Sequence, residues 1–226
     1  MRTRVKPRGV VYHPPRKELD EDVALLLGLH VGDGWLSDKW GITCEPKDKS
    51  MTYRVTQLVR DVLGVEPIKP CKCKAGKAIM IRSGQRQALD FFRNYGLPQG
   101  RKAGRVQIPK QILESSNKAV TKAFLRGLFS TDGCFSFQIS RGPRVEIQVK
   151  SEKLRDDFIY LAGQLGFSFR SYKYLPPRGK NKAPLHVAYT TQSRQVVRWM
   201  EEIGSIKDSH IQQYQHWKKI IETKRS

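Results

Sequence analysis

Apolar and polar residues alternate along this chain in two rhythms. Between 51 and 63, Val55, Leu58, Val59 and Val62 recur every three or four positions, the spacing of a helix with one buried face, and Gly64 offers its stop. A second helical run, 85–95, carries Leu89, Phe92 and Tyr95 and ends at Gly96. Further on the period drops to two. Phe135, Phe137 and Ile139 alternate with Ser136, Gln138 and Ser140, and Val145, Ile147 and Val149 alternate with Arg144, Glu146, Gln148 and Lys150. These predict two half-buried strands joined by a turn at Arg141, Gly142 and Pro143. Ser151 suits the N-cap of a helix bearing Leu154, Phe158, Leu161 and Leu165, closed by Gly166. Strand-like stretches at 167–175 and 185–191, a helix over 194–203 stopped by Gly204, and a closing helix over 211–221 complete this half.

The same order occurs earlier in the chain. Leu25-Leu26-Leu27-Gly28-Leu29-His30-Val31-Gly32-Asp33-Gly34 returns as Phe124-Leu125-Arg126-Gly127-Leu128-Phe129-Ser130-Thr131-Asp132-Gly133, the aspartates standing 132 − 33 = 99 positions apart. After the first copy come a candidate hairpin at 35–44, the helix at 51–63, a basic strand-like region at 65–82 and the helix at 85–95. Each half therefore reads α-β-β-α-β-β-α, and the fold class is α+β with an internal repeat. The chain divides into a basic N-terminal arm (1–17), a first half (18–99), a linker containing Pro109 (100–116) and a second half with the C-terminal helix (117–226).

Gly28 and Gly32 lie four apart on one helix face, as do Gly127 and Thr131, so two helices can approach at their backbones. A packing seam explains the small residues but not the acids. Asp33 and Asp132 fall at helix C-termini, where the macrodipole disfavours a carboxylate by a few tenths of a kcal/mol. Side by side, two such helices bring both carboxylates to one end, where a cation would relieve their repulsion. Hard oxygen ligands without a His/Cys set suit Mg2+.

Charge then narrows the partner. Lys and Arg number 42 against 21 Asp and Glu, a net charge of +21, while 38% hydrophobic residues suffice for a core. Such a chain suits a polyanion. No run approaches the ~20 apolar residues of a membrane span. Six basic residues and no acid in 1–17 suit a nucleic-acid arm better than a transit peptide. The four cysteines, Cys44, Cys71, Cys73 and Cys134, lack zinc spacing and read as unpaired thiols.

Two such Gly/Asp motifs, each followed by matching elements, resemble the LAGLIDADG homing endonucleases over residues 19–219. The resemblance implies two pseudo-symmetric repeats, motif helices packed centrally, and two antiparallel sheets forming a DNA-binding saddle. It implies a monomer that hydrolyses both strands of a long asymmetric double-stranded target across the minor groove and leaves staggered ends. The cofactor would be Mg2+, with Mn2+ able to substitute. Asp33 and Asp132, with Gly32 and Thr131 beside them, would form the metal set. Lys102 and Lys207, each just after the third helix of its half, would polarise water or stabilise the phosphate. Lys150, ending a strand, would join them; its first-half counterpart is blurred among Cys44, Glu45 and Lys47. His30 is expected to pack rather than react.

DNA reading would fall to the polar strand faces, since the major groove admits a two-stranded ribbon. The second half offers Ser136, Gln138, Ser140, Arg141, Arg144, Glu146, Gln148, Lys150, Arg170, Lys173, Arg178, Lys180 and Lys182. The first offers Lys39, Lys47, Lys69, Lys72, Lys74, Lys77 and Arg82. Rival readings are an intron-RNA maturase and a non-catalytic DNA-binding regulator of the same fold. The absence of splicing blocks suits a free-standing or intron-encoded protein rather than part of an intein. The strongly basic character resembles an archaeal intron-encoded member, with the cytoplasm as the expected place and an organelle as the alternative.

Overall fold

Helix α1 (Glu21–Asp33) is apolar on nearly every side, and every residue from Val23 to Val31 is buried. Asp20 caps its start, its carboxylate accepting from the Val23 N–H at 2.8 Å. The partner that buries it is α5 (Lys118–Asp132), capped by Asn117 in the same way. The two helices meet at bare backbone. A methyl group on Gly28 would stand 2.2 Å from the Phe124 carbonyl oxygen, and one on Gly127 2.4 Å from that of Leu25. No Cβ fits there, and the clash is reciprocal, as a twofold relation between the copies requires.

The computed structural model describes residues 11–37, 41–44, 49–72, 79–175 and 183–223. After α1 the chain runs through β1 (Gly34–Ser37), β2 (Gly41–Cys44), α2 (Lys49–Leu63), β3 (Ile68–Lys72), β4 (Ile79–Ser83) and α3 (Arg86–Asn94). After α5 it repeats the order with β5 (Gly133–Gln138), β6 (Gly142–Val149), α6 (Glu152–Gln164), β7 (Arg170–Tyr174), β8 (Leu185–Thr190) and α7 (Ser193–Arg198). The strands form two antiparallel four-stranded sheets, ordered β1-β2-β4-β3 and β5-β6-β8-β7. This is the α+β double repeat the periodicities predict. Each sheet starts directly where a seam helix ends, so both leave from the same end of the seam.

Several boundaries differ from those the periodicities predict. The turn expected at Arg141, Gly142 and Pro143 sits one or two residues earlier. Gly142 already pairs with Gln138, and its φ of +79°, easy only for glycine, starts β6. The helix expected over 194–203 is α-helical only to Arg198 and continues as a π-helical turn, Trp199–Ile203. That turn buries Trp199 completely against Phe129, Phe158, Phe167 and Phe169. The C-terminal helix α8 (Asp208–Thr223) begins before 211 and packs Tyr214 and Trp217 on Phe135 of β5.

The stretch 100–116 is no loose connector. It holds a short helix, α4 (Lys110–Leu113), and buries Val106, Ile108 and Ile112. The buried carboxylate of Asp157 on α6 accepts the Ile108 N–H at 3.2 Å. Residues 11–17 of the basic arm lie along the end of α2, where Tyr12 and Arg16 donate backbone N–H groups to the Gly64 and Val62 carbonyls.

Candidate active site

Both aspartates terminate their helices, Asp33 on α1 and Asp132 on α5. A carboxylate at this end faces the negative pole of the helix. In α1 the compensation is visible. The ammonium of Lys102 donates to the carbonyls of His30 at 2.6 Å, Val31 at 2.5 Å and Gly32 at 2.6 Å. One cation thus closes the last turn of the helix that ends in Asp33. Burial, with the Lys102 charge beside it, pushes His30 well below the usual imidazole range. His30 is therefore neutral and packed, its ring stacked on Phe92 with centroids 4.1 Å apart.

Gly32 is where the second helix reaches across. A Cβ on it would overlap the Thr131 hydroxyl and come within 3.5 Å of Asp132 Oδ2. The Asp132 carboxylate therefore lies over the chain next to Asp33. The Thr131 hydroxyl is turned back on its own helix, donating to Leu128 O at 2.9 Å. A cavity of about 190 Å³ opens at this end. Gly32, Lys102, Asp132, Gln148 and Lys150 line it, with Val31, Val106 and Leu185 among its apolar walls. The first half and the linker thus supply part of the surroundings of the second half's aspartate.

The α5 end is built differently. Ser130 Oγ contacts Ser205 Oγ at 3.2 Å and accepts the Ile206 N–H at 2.9 Å, and Ser205 Oγ reaches His210 Nδ1 at 3.0 Å. Lys207, the sequence counterpart of Lys102, lies instead beside Cys134. Burial and the neighbouring Glu146 push the Cys134 thiol up, against the opposing pull of Lys207 and Arg144. The two lysines that sequence position pairs therefore have unlike surroundings.

The registers sort the sheet residues by face. Cys134 opposes Glu146, Ser136 opposes Arg144, Glu146 opposes Tyr189, and Tyr189 opposes Arg170. All share the face turned away from the core. Lys173 opposes His186 and so lies on the other face from Arg170. Ser140 and Arg141 are exposed at the β5–β6 turn. On the outer face the Glu146 carboxylate accepts from Arg144 Nε at 2.5 Å and from Gln148 Nε2 at 2.7 Å. Arg144 also donates to the Tyr172 hydroxyl at 3.2 Å and lies over the Tyr189 ring at 4.3 Å. Tyr189 had no signal in the pattern beyond its place in a strand; the register alone brings it here.

In the first half, Lys69 and Lys72 lie on β3 and Arg82 on β4, opposite Thr43. Lys39, Lys47, Lys74, Lys77, Arg178, Lys180 and Lys182 lie outside the described residues, as does Glu45. Among the described residues no group of three or more His, Cys, Asp or Glu could hold a metal, and no helix is long and apolar enough to cross a membrane.

Two sheets springing from a glycine seam that ends in paired aspartates define the LAGLIDADG architecture. Residues 119–204 match the family model described as a LAGLIDADG-like domain, and this chain carries that domain within the LAGLIDADG fold. Among solved structures, full-length DUF199/WhiA from Thermatoga maritima aligns with a TM-score of 0.59 at 17% identity, covering 95% of this chain and 64% of that one. The homing endonuclease I-DmoI in complex with DNA and Mn aligns at 0.55 and 16%, covering 83% and 98%. Among curated proteins, a component of the A-type ATP synthase of Pyrococcus abyssi is 30% identical over 148 residues, 66% of this chain. The replication factor C small subunit of Methanocaldococcus jannaschii is 24% identical over 199 residues, 88% of this chain. The chain spans only 14% and 10% of those two relatives.

Proposed function

We propose that this chain is a site-specific DNA endonuclease that cuts both strands of a long, asymmetric target and leaves staggered ends. The observation that carries the reading is the seam end, where Asp132 shares a cavity with Lys102 and Lys150 beside Gly32, and Asp33 is the next residue. The likeness to I-DmoI, a homing endonuclease crystallised with DNA and Mn, supports it. So does the sharing of one segment by relatives as different as a replication factor and an ATP synthase, which fits a module carried within hosts.

The residues fit a hard divalent cation. Two carboxylates and nearby carbonyls leave places for water and phosphate oxygens, as Mg2+ prefers, and provide none of the soft donors zinc would use. Asp33 and Asp132 would hold the metal. Thr131, whose hydroxyl is turned back on its helix, would offer only its carbonyl, and the Gly32 carbonyl is already shared with Lys102. A bound divalent ion lowers the pKa of water and neutralises charge on the leaving oxygen. The chain's own contribution is placement. The seam fixes the acids, Lys150 faces the cavity as a cation toward the scissile phosphate, and Lys102 acts through the α1 terminus. The outer sheet faces would hold the duplex, in a monomer whose two halves read different half-sites.

A second reading is DNA binding without cleavage. It is favoured by the commitment of Lys102 to three carbonyls, which takes that cation out of the reaction. One experiment separates the two. A plasmid library with randomised inserts is incubated with the protein, with and without Mg2+, and new ends are sequenced. Specific staggered ends that require Mg2+ are expected, with Asp33→Asn and Asp132→Asn each abolishing double-strand breaks while retaining DNA. Retention of the plasmids without any Mg2+-dependent ends would establish the binding-only reading.

A further inference from the structure

Glu146 is an acid on the face that, on the proposed reading, meets a polyanion. A carboxylate there repels phosphate, so its presence needs a reason. Its side chain is only 12% exposed, too deep to reach a base edge itself. Both its oxygens are in use, Oε2 by Arg144 Nε and Oε1 by Gln148 Nε2.

The consequences for the two neighbours are specific. Arg144 is fixed on three sides: by Glu146, by the Tyr172 hydroxyl, and by the Tyr189 ring 4.3 Å below its guanidinium. Its remaining N–H groups form a donor-only edge in a set orientation, the complement of the two acceptors of guanine. Gln148 is exposed, and its amide would ordinarily turn either way. An ionised carboxylate only accepts, so Glu146 selects the orientation with the amide nitrogen inward. The carbonyl and the second N–H then point outward as an acceptor–donor pair, the complement of adenine. Arg144 and Gln148 are four residues apart on β6, about 13 Å at ~3.3 Å per residue, so they address separate base pairs.

We propose that Glu146 is a specificity-determining positioning residue, which never touches DNA but sets Arg144 and Gln148 as a pre-ordered pair reading a guanine and an adenine within one half-site. This rests on the DNA-binding reading above. Pre-ordering matters because a free Arg or Gln side chain must be immobilised on binding and can satisfy more than one base.

The test is a selection of bound sequences from a randomised duplex pool in Ca2+, comparing wild type with Glu146→Ala, Glu146→Gln, Arg144→Ala, Gln148→Ala and Lys110→Ala. Wild type is expected to enrich a guanine at one position and an adenine at another, each about tenfold or more over other bases. Arg144→Ala should erase the first preference and Gln148→Ala the second. Glu146→Ala should flatten both together while affinity for the unselected pool holds or rises. Glu146→Gln, nearly isosteric, keeps one acceptor oxygen and should retain part of one preference; it also serves if Glu146→Ala does not fold. Lys110→Ala, exposed on α4 away from both sheets' strands, should leave the profile intact. Glu146 variants that select the same bases as wild type overturn the proposal while leaving DNA binding standing. A wild type that retains no duplex overturns both.

Discussion

At the scale of the residue, Lys102 carries the most consequence. Sequence position marked it as a lysine following the third helix, a candidate for activating water. The structure gives its ammonium another task, closing the last turn of α1 through three carbonyls. It thereby offsets the unfavourable placement of Asp33 at that helix's negative pole. Lys102→Met should destabilise the fold by ~1–3 kcal/mol, since it leaves buried acceptors without a donor. Urea unfolding would read this, and a midpoint unchanged from wild type would show the three bonds to be dispensable. The role was illegible in the sequence because capping across 70 residues leaves no local pattern. His30 was more legible. In an apolar helix, a lone histidine is most simply a packed one, and stacking on Phe92 bears this out.

At the scale of the element, the periodicities carried far. Strands alternating around Phe135 and Val145, and helices with apolar residues every three or four positions, appear where predicted, because half-burial imposes those periods. The exceptions have physical causes. Gly142 could be read as a turn residue or a strand start, and only the pairing with Gln138 decides. The π-helical turn at Trp199 coincides with the seating of one large ring in an aromatic cluster, which no spacing rule anticipates. The linker held Val106, Ile108 and Ile112 all along, but without a period to reveal that they are buried. The seam itself yields a sharp contrast between glycines. Gly127→Leu should cost at least ~3 kcal/mol, since the new side chain meets opposing backbone that cannot yield. Gly163→Ala, in α6 with nothing within 4 Å, should instead stabilise by ~0.5–1 kcal/mol. Thermal unfolding of both variants checks the pair, and equal effects would mean the seam is looser than the geometry states.

At the scale of the whole molecule, the paired aspartates and the double repeat were legible because one plan written twice is hard to produce by chance. What faces what across the two halves was not, as Lys207 and Lys102 show by ending in unlike surroundings. The charge of +21 is a property of the entire chain. If the sheets track a duplex, the logarithm of the binding constant should fall with log salt by ~0.9 for each phosphate neutralised. Fluorescence anisotropy across a salt series measures that slope, and a flat response would count against an extended basic surface.

The reciprocal approach of Gly28 and Gly127 has one more consequence. It sets how far apart the two aspartates stand from within the seam, not from the outer faces of the sheets. On the proposed reading, address and stagger are thus written in different parts of the molecule. If the proposed endonuclease reading holds, substitutions at positions such as Arg144 or Gln148 should send the protein to a new sequence, while the seam, acting as a caliper, should keep the shape of every break the same.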